Sequence, residues 1–466
     1  MATSRDTMPA AERATCRCPG AWPSMLELLL LLIGGGMVRR KWWLVGVLGL
    51  LWMAIGLFFV VTALDDSLRF SSTYFAIPLL VDAAFSAVSG LSAPDGRRLL
   101  RLGKAAVLLI IVLLIIEAPW HSGILVGILV GALLVGDAVW RASSAYVVRF
   151  HRWRLSIVKA AVEFLIGLWS FVPWPSHWQG EVGADVGTLM IVSAMGLCGL
   201  ALRIRRLPLD TSVAMILARG RARDLRPGSP RRILPVRGEG PDEGDVIVHV
   251  WTPTGGIVPL HRGVERYVAA RDEKGIVSTG HAALEAPPDI YISHYPAVEI
   301  DRAPSQFARA LRATPDNDVP GLFKPSYAEE SAEWCPSTVQ VRLAGLNRRA
   351  LRAFWQVYRA DAIYNLTDRN CSSAVASALD VAIEGRFAEA ARSPALLLRL
   401  LCAPELWIAG LLRRRAAWMA WTPGIVLDYA RAVGALIAQF EPRPDGGRVH
   451  PAPSDHSAAA AVPSGD

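Results

Sequence analysis

The sequence predicts a membrane all-α bundle of six helices followed by a cytoplasmic α+β domain. Three observations carry this prediction: apolar runs of bilayer-crossing length crowd into the first 203 residues, an arginine- and proline-rich linker follows, and strand-like runs then alternate with amphipathic helices. The composition agrees, since the 466 residues are 52% hydrophobic and only 19% charged, with a mean hydropathy of +0.32. Such figures exclude a chain disordered throughout or a collagen-like fibre. Six cysteines are too sparse to staple a disulfide scaffold.

With about 20 apolar residues needed to cross a hydrocarbon core, six spans are expected at residues 42–64, 73–91, 99–118, 122–140, 155–173 and 186–202. Asp82 falls in the second, Asp137 near the end of the fourth, and Glu163 with Lys159 in the fifth. Ionisable groups at such depth either face the bundle interior as packing partners or line a transport path. The basic residues set the orientation. Arg39, Arg40 and Lys41 precede the first span, Arg97, Arg98, Arg101 and Lys104 flank the start of the third, Arg141, Arg149, Arg152 and Arg154 separate the fourth and fifth, and Arg203, Arg205 and Arg206 follow the sixth. The intervening loops hold one Arg and no Lys. Positive loops stay cytoplasmic, so a multi-pass protein of the inner or plasma membrane with both termini in the cytoplasm is expected.

Upstream, residues 25–36 form an apolar run too short to span, without a small-x-small cleavage site. It reads as an interfacial segment, or as an extension of a chain whose natural start is Met37. Cys16 and Cys18 have the wrong spacing for zinc. In the fourth span Gly123, Gly127 and Gly131 recur every four residues, a pattern that lets a neighbouring backbone approach, in the same chain or in a second copy. The six-helix, glycine-rich pattern with short loops, opened by Trp42-Trp43, resembles the HdeD-like acid-resistance membrane proteins over residues 37–207. That resemblance implies a compact six-helix bundle in a protein of the stress response.

Ten arginines, two aspartates and four prolines between residues 203 and 237 cannot bury a core. Residues 208–243 read as a linker along anionic lipid at the cytoplasmic face, where each basic residue contributes about 1 kcal/mol. This placement, with the loop arginines, accounts for much of the net charge of +8 without nucleic acid. Residues 244–388 read as the globular domain, with strands at 245–251, 276–285, 289–300 and 338–343, and helices at 347–358 and 372–383, the latter ended by Gly385. Residues 389–440 read as arginine-studded apolar helices that pack on that domain or lie on the membrane, and residues 441–466 as a disordered tail.

Two histidines and one cysteine form the candidate site. In a hairpin around Ala286-Pro287-Pro288-Asp289, pairing Glu285 with Ile290 sets His281 opposite His294, so the second histidine can orient the first. Cys371 opens a helix, where the positive end of the macrodipole and a nearby imidazolium favour thiolate. Asn370 caps that helix or lends its amide to an oxyanion hole, with the Cys371 N–H as second donor. Cys198, Cys335 and Cys402 read as small buried hydrophobes, His249 as a core or rim residue and His261 as a surface one.

Gly280-His281-Ala282-Ala283-Leu284, then Tyr291-Ile292-Ser293-His294-Tyr295-Pro296, then Asn370-Cys371-Ser372 resembles the circularly permuted branch of the NlpC-type papain-like fold, which includes relatives of lecithin:retinol acyltransferase. The resemblance covers residues 244–388 and rests on the chain order His, second polar residue, Cys. It implies Cys371 as nucleophile, His281 as general base and acid, and His294 as the orienting third member. Residues 303–333, acidic and irregular, match no part of that pattern.

A structural zinc site needs a fourth ligand that no CxxC or HxxxH supplies, and Gly34-Gly35-Gly36 lacks the Lys-Ser/Thr of a phosphate loop; no metal and no cofactor is expected. The leading expectation is a membrane-anchored cysteine hydrolase acting on a peptide, an amide or an acyl lipid. A lipid acyltransferase or esterase on the same residues is the nearest alternative. A non-enzymatic stress protein with a binding module and a solute or proton transporter using Asp82, Asp137 and Glu163 are the others.

Overall fold

The 23 residues of Trp42–Leu64 carry no charge and fold as one unbroken helix. In the computed structural model the described residues are, apart from short interruptions, 24–64, 95–206, 243–252, 270–298, 307–388 and 393–440, with a few single residues such as Ala214. Helices dominate. In the first half they are α1 (Ser24–Ile33), α2 (Gly35–Arg40), α3 (Trp42–Leu64), α4 (Asp95–Glu117), α5 (Pro119–Val148), α6 (Trp153–Trp169) and α7 (Trp178–Arg205). Among the described residues two stretches are long and apolar enough to cross a membrane, α3 and the Gly183–Leu202 part of α7. Asp82 and most of the second expected span lie outside the described residues.

Small residues set the helix contacts. A Cβ on Gly56 of α3 would stand 2.8 Å from the Gly187 carbonyl of α7, and one on Gly187 2.6 Å from the Gly56 carbonyl, so the two backbones touch. Gly131 packs in the same way on Gly167 of α6. Outward, α3, α4, α5 and α6 present large apolar side chains, including Leu51, Leu113, Leu133 and Leu165. A surface of this kind marks contact with lipid or protein. Asp137 and Glu163 are both paired: Arg141 reaches each at 2.7 Å, and Arg414 from the far end of the chain reaches Asp137 at 2.6 Å.

The second half is built on a four-stranded antiparallel sheet. Its strands are β1 (Glu243–Trp251), β2 (His281–Ala286), β3 (Ile290–Ile292) and, after β4 (His294–Pro296) and β5 (Val319–Phe323), β6 (Val339–Asn347). Their order is β3-β2-β1-β6, while β4, β5 and β7 (Ile363–Tyr364) form a second sheet. The helices are α8 (Tyr327–Glu333), α9 (Arg348–Tyr358), α10 (Cys371–Ile383), α11 (Pro394–Cys402), α12 (Pro404–Trp418) and α13 (Pro423–Phe440). One face of the sheet, Val246, Val248, Val250, Ala282, Leu284 and Ile292, packs into a core shared with α10 and α13.

Four expectations are corrected. The hairpin pairs Ala286 with Ile290 and Leu284 with Ile292, because only Pro287, Pro288 and Asp289 form the turn. A one-residue slip moves every cross-strand partner, so Glu285 faces Tyr291 rather than Ile290. The strand expected over residues 289–300 breaks at Ser293, after which β4 joins β5 in the other sheet. The strand expected over residues 276–285 is likewise interrupted, by Gly280 at φ +70°.

The fourth correction concerns α1. Expected at the membrane interface, it is buried instead: Leu28, Leu31 and Leu32 belong to the core of the second half. Its last carbonyls accept from the backbone after α10, Leu31 from Gly385 at 3.0 Å and Leu32 from Phe387 at 2.9 Å. Gly34, at φ +85°, then comes so close to Gly385 that a Cβ would lie 2.6 Å from its Cα. This is the use of the glycine run, and Glu384 completes the joint by accepting from Gly35 N–H and Ala214 N–H. One carboxylate thus holds the segments on either side of the helices α3 to α7 against the end of α10. A buried triad, with Arg413 and Tyr429 on Asp380 at 2.8 and 2.6 Å, ties α10 to α12 and α13.

Candidate active site

Cys371 opens α10, and the local sequence explains why the helix starts there. Asn370 is its N-cap, accepting from the Ser373 N–H at 2.7 Å, while the Ser373 hydroxyl accepts from the Asn370 N–H at 2.9 Å. The reciprocal pair satisfies two otherwise orphan donors. Both hydrogens of the Asn370 amide are committed elsewhere, to the carbonyls of Leu366 at 2.8 Å and Trp421 at 2.9 Å. The amide is therefore a tether between α10 and the α12–α13 turn, and an oxyanion role would fall to backbone N–H groups. Replacing Asn370 by alanine is expected to cost about 1 kcal/mol for the cap and to lower the melting temperature of the second half by about 2–4 °C. Thermal unfolding of the full chain followed by circular dichroism in detergent checks this.

Of the four described cysteines Cys371 alone is buried, at 7% exposure, whereas Cys198, Cys335 and Cys402 are half-buried rather than enclosed. Its thiol lies on the backbone of β2, with the Ala282 N–H and the hydroxyl and N–H of Ser372 turned towards it. Burial raises the thiol above its ordinary value, and those donors oppose the rise. Ala282 follows His281 directly, so the thiol touches the strand one residue from the base candidate, and among the described residues no hydrogen bond joins the thiol to the His281 ring.

His281 is 4% exposed. Its ring stacks on Tyr295, centroids 4.0 Å apart, with Trp251 at 5.4 Å. Nε2 hydrogen-bonds the Ser293 hydroxyl at 2.9 Å and stands 3.3 Å from a Glu330 carboxylate oxygen. Nδ1 has no hydrogen-bond partner among the described residues. Burial first, then the nearby His294, push the His281 pKa down to about 3.

The sequence reading missed Glu330. It is 1% exposed in α8 and accepts from Tyr291 OH at 2.6 Å and Tyr295 OH at 2.7 Å. A buried carboxylate needs such donors. A signal was present: Ser326-Tyr327-Ala328-Glu329 has the spacing of a helix start, and Ser326 does accept from the Glu329 N–H.

His294 is fully buried with Nδ1 3.1 Å from Tyr358 OH, among Phe323, Tyr358 and Tyr364. Its pKa is also pushed down to about 3, by burial and by Arg369. The contacts that orient His281 thus come from Ser293 and Glu330, while those of His294 run to a tyrosine on α9. Tyr291 and Phe323 also wall a cleft of about 520 Å³ together with Lys324, Trp355 and Arg359. His249 is buried between Glu285 at 2.9 Å and Ser337 at 3.2 Å, on the same face of the sheet as His281. His261 lies outside the described residues. Among the described residues no cluster of histidine, cysteine, aspartate and glutamate is arranged to hold a metal ion.

No family model, curated protein or solved structure matches the chain.

Proposed function

We propose that the protein is a membrane-anchored cysteine hydrolase of the peptidase or amidase type, with Cys371 as nucleophile and His281 as base. The observation that supports this most is the thiol at the start of a capped helix, set on the strand backbone one residue from His281, whose Nε2 is held by Ser293. An antiparallel sheet packed on a helix that opens with the nucleophile fits the permuted papain-like reading, as does the chain order of histidine before cysteine. The resting pair is neutral, thiol and imidazole. When substrate displaces water, the Cys371 proton passes to His281 Nδ1, and Glu330 with Ser293 stabilises the imidazolium at Nε2. The thiolate adds to the carbonyl carbon, and the Cys371 N–H at the helix start is the natural donor to the oxyanion. The leaving amine or alcohol departs with the His281 proton, and water, deprotonated by the same nitrogen, cleaves the thioester.

The same proposal includes six membrane crossings with both termini cytoplasmic. It is supported by the basic residues at the start of α3 and the end of α7, and by the contacts of Lys104 and Asp137 with the C-terminal helices.

The test is covalent trapping. Full-length protein in nanodiscs, offered a panel of amide and ester substrates and quenched in acid, should yield a mass adduct on the peptide holding Cys371. Cys371→Ala should abolish both adduct and turnover. Unchanged turnover of every substrate by that variant would sink the proposal.

A further inference from the structure

The helices α11 and α12 meet at a bend of 62° and are together apolar enough to pass for a broken span or a re-entrant loop. Their buried side belongs to the protein core, through Leu400, Leu406, Ala409 and Ala416. The opposite side is exposed and apolar: Leu398 on α11 is 44% exposed, and on α12 Trp407 and Leu411, four residues apart on one stripe, are 44% and 58% exposed. One turn further along that stripe stands the exposed Arg415. A leucine and tryptophan surface ended by arginine suits the boundary between acyl chains and headgroups.

Two contacts set its depth. Lys104 of α4 donates to the Cys402 carbonyl at the bend, 3.2 Å away, and Arg414 of α12 pairs with Asp137 of α5. Lys104 lies in the third turn of α4, and α5 runs on for 11 residues beyond Asp137. Both anchors therefore sit at the ends of the apolar stretches of α4 and α5, helices that themselves expose Leu113 and Leu133. We infer that α11 and α12 lie in the membrane interface, with Leu398, Trp407 and Leu411 among the acyl chains of the bilayer. The occupant of this face is lipid. The inference stands whether or not Cys371 is a nucleophile, although the Asn370 tether to Trp421 connects the two regions.

The wild-type full chain tests it in vesicles of phosphatidylcholine and phosphatidylglycerol that contain a phosphatidylcholine with a diazirine on one acyl chain. After illumination and proteolysis, lipid adducts are expected on peptides covering Leu398, Trp407 and Leu411 as well as on those covering α3. Leu411→Glu should lower the adduct yield at α12 at least fivefold and leave the yield at α3 unchanged. Adducts on α3 with none on α11 or α12 would overturn the inference. So would crosslinks between copies of the chain at these residues in place of lipid adducts, which would assign the face to a second protomer.

Discussion

Acidification from pH 6.5 towards pH 3 is expected to destabilise the second half of the chain by several kcal/mol and to uncover Cys371. His281 and His294 are both held neutral by burial, with pKa values near 3 against an ordinary 6.5. Between those limits the unfolded chain binds protons that the folded chain does not. Stability is therefore fully present above pH 6.5 and is lost as the pH falls, by about 1.4 kcal/mol per unit for each histidine. At full expression that is roughly 4–5 kcal/mol apiece, comparable with the whole stability of many domains. The groups facing each ring do not reverse the sign: at His281 burial and the nearby His294 both act against the proton, and at His294 Arg369 adds to the burial penalty, opposed only by a backbone hydrogen bond at Ala362. The check is the rate at which 4,4′-dithiodipyridine, a reagent active at acidic pH, labels Cys371, normalised to the urea-unfolded chain. The rate should climb at least a hundredfold from pH 7 to pH 4, with half-buried Cys335 as the reference. His294→Gln, which cannot ionise, should flatten the climb by about half on a logarithmic scale. A flat rate for the wild type would show that the two imidazoles are not held neutral against solvent.

How much of this was legible in the sequence depends on the range of the force involved. The uncharged run of α3 and the capped start of α10 are local properties, and Trp42–Leu64 and Asn370-Cys371 fold where their residues place them. The hairpin was visible from its Pro-Pro-Asp turn, but its register was not, because three or four turn residues fit the same letters and differ by one pair. Ser293 shows no mark of the break that sends β4 to another sheet. The burial of α1 depends on contacts with residues some 350 positions later, and a ten-residue leucine run looks the same on a membrane or in a core. Glu330 is the extreme case: its role exists only where β2, β3, β4 and α8 converge.

The packing at that convergence also reconciles two demands on His281. On the proposed mechanism a histidine kept neutral at rest must accept a proton during the reaction, which calls for an acceptor fixed at its far nitrogen. Glu330 has that position, 3.3 Å from Nε2, and its two tyrosine donors hold it in place.

On the proposed mechanism, replacing Glu330 by glutamine should accordingly slow acyl-enzyme formation by a factor of about 10²–10³, or roughly 3–4 kcal/mol of transition-state stabilisation. Glutamine preserves the size and can still accept from a tyrosine hydroxyl, so the pocket should survive. What disappears is the charge facing Nε2 while Nδ1 holds the thiol proton. Acyl-enzyme formation, followed by quenched-flow mass spectrometry between pH 5 and pH 9, separates this from a structural effect. A positioning role predicts a lower rate at every pH and a displaced acid limb, as His281 becomes harder to protonate, with substrate affinity little changed. A purely structural role predicts a lower melting temperature and weaker binding with the same pH profile. Glu330→Asp should recover part of the rate, because it restores the charge about one bond further away. Tyr291→Phe and Tyr295→Phe should each cost less than the glutamine variant, since either hydroxyl alone still anchors one carboxylate oxygen. A glutamine variant with the wild-type rate and profile would move the third member of the site away from Glu330, leaving Ser293 as the group that holds Nε2.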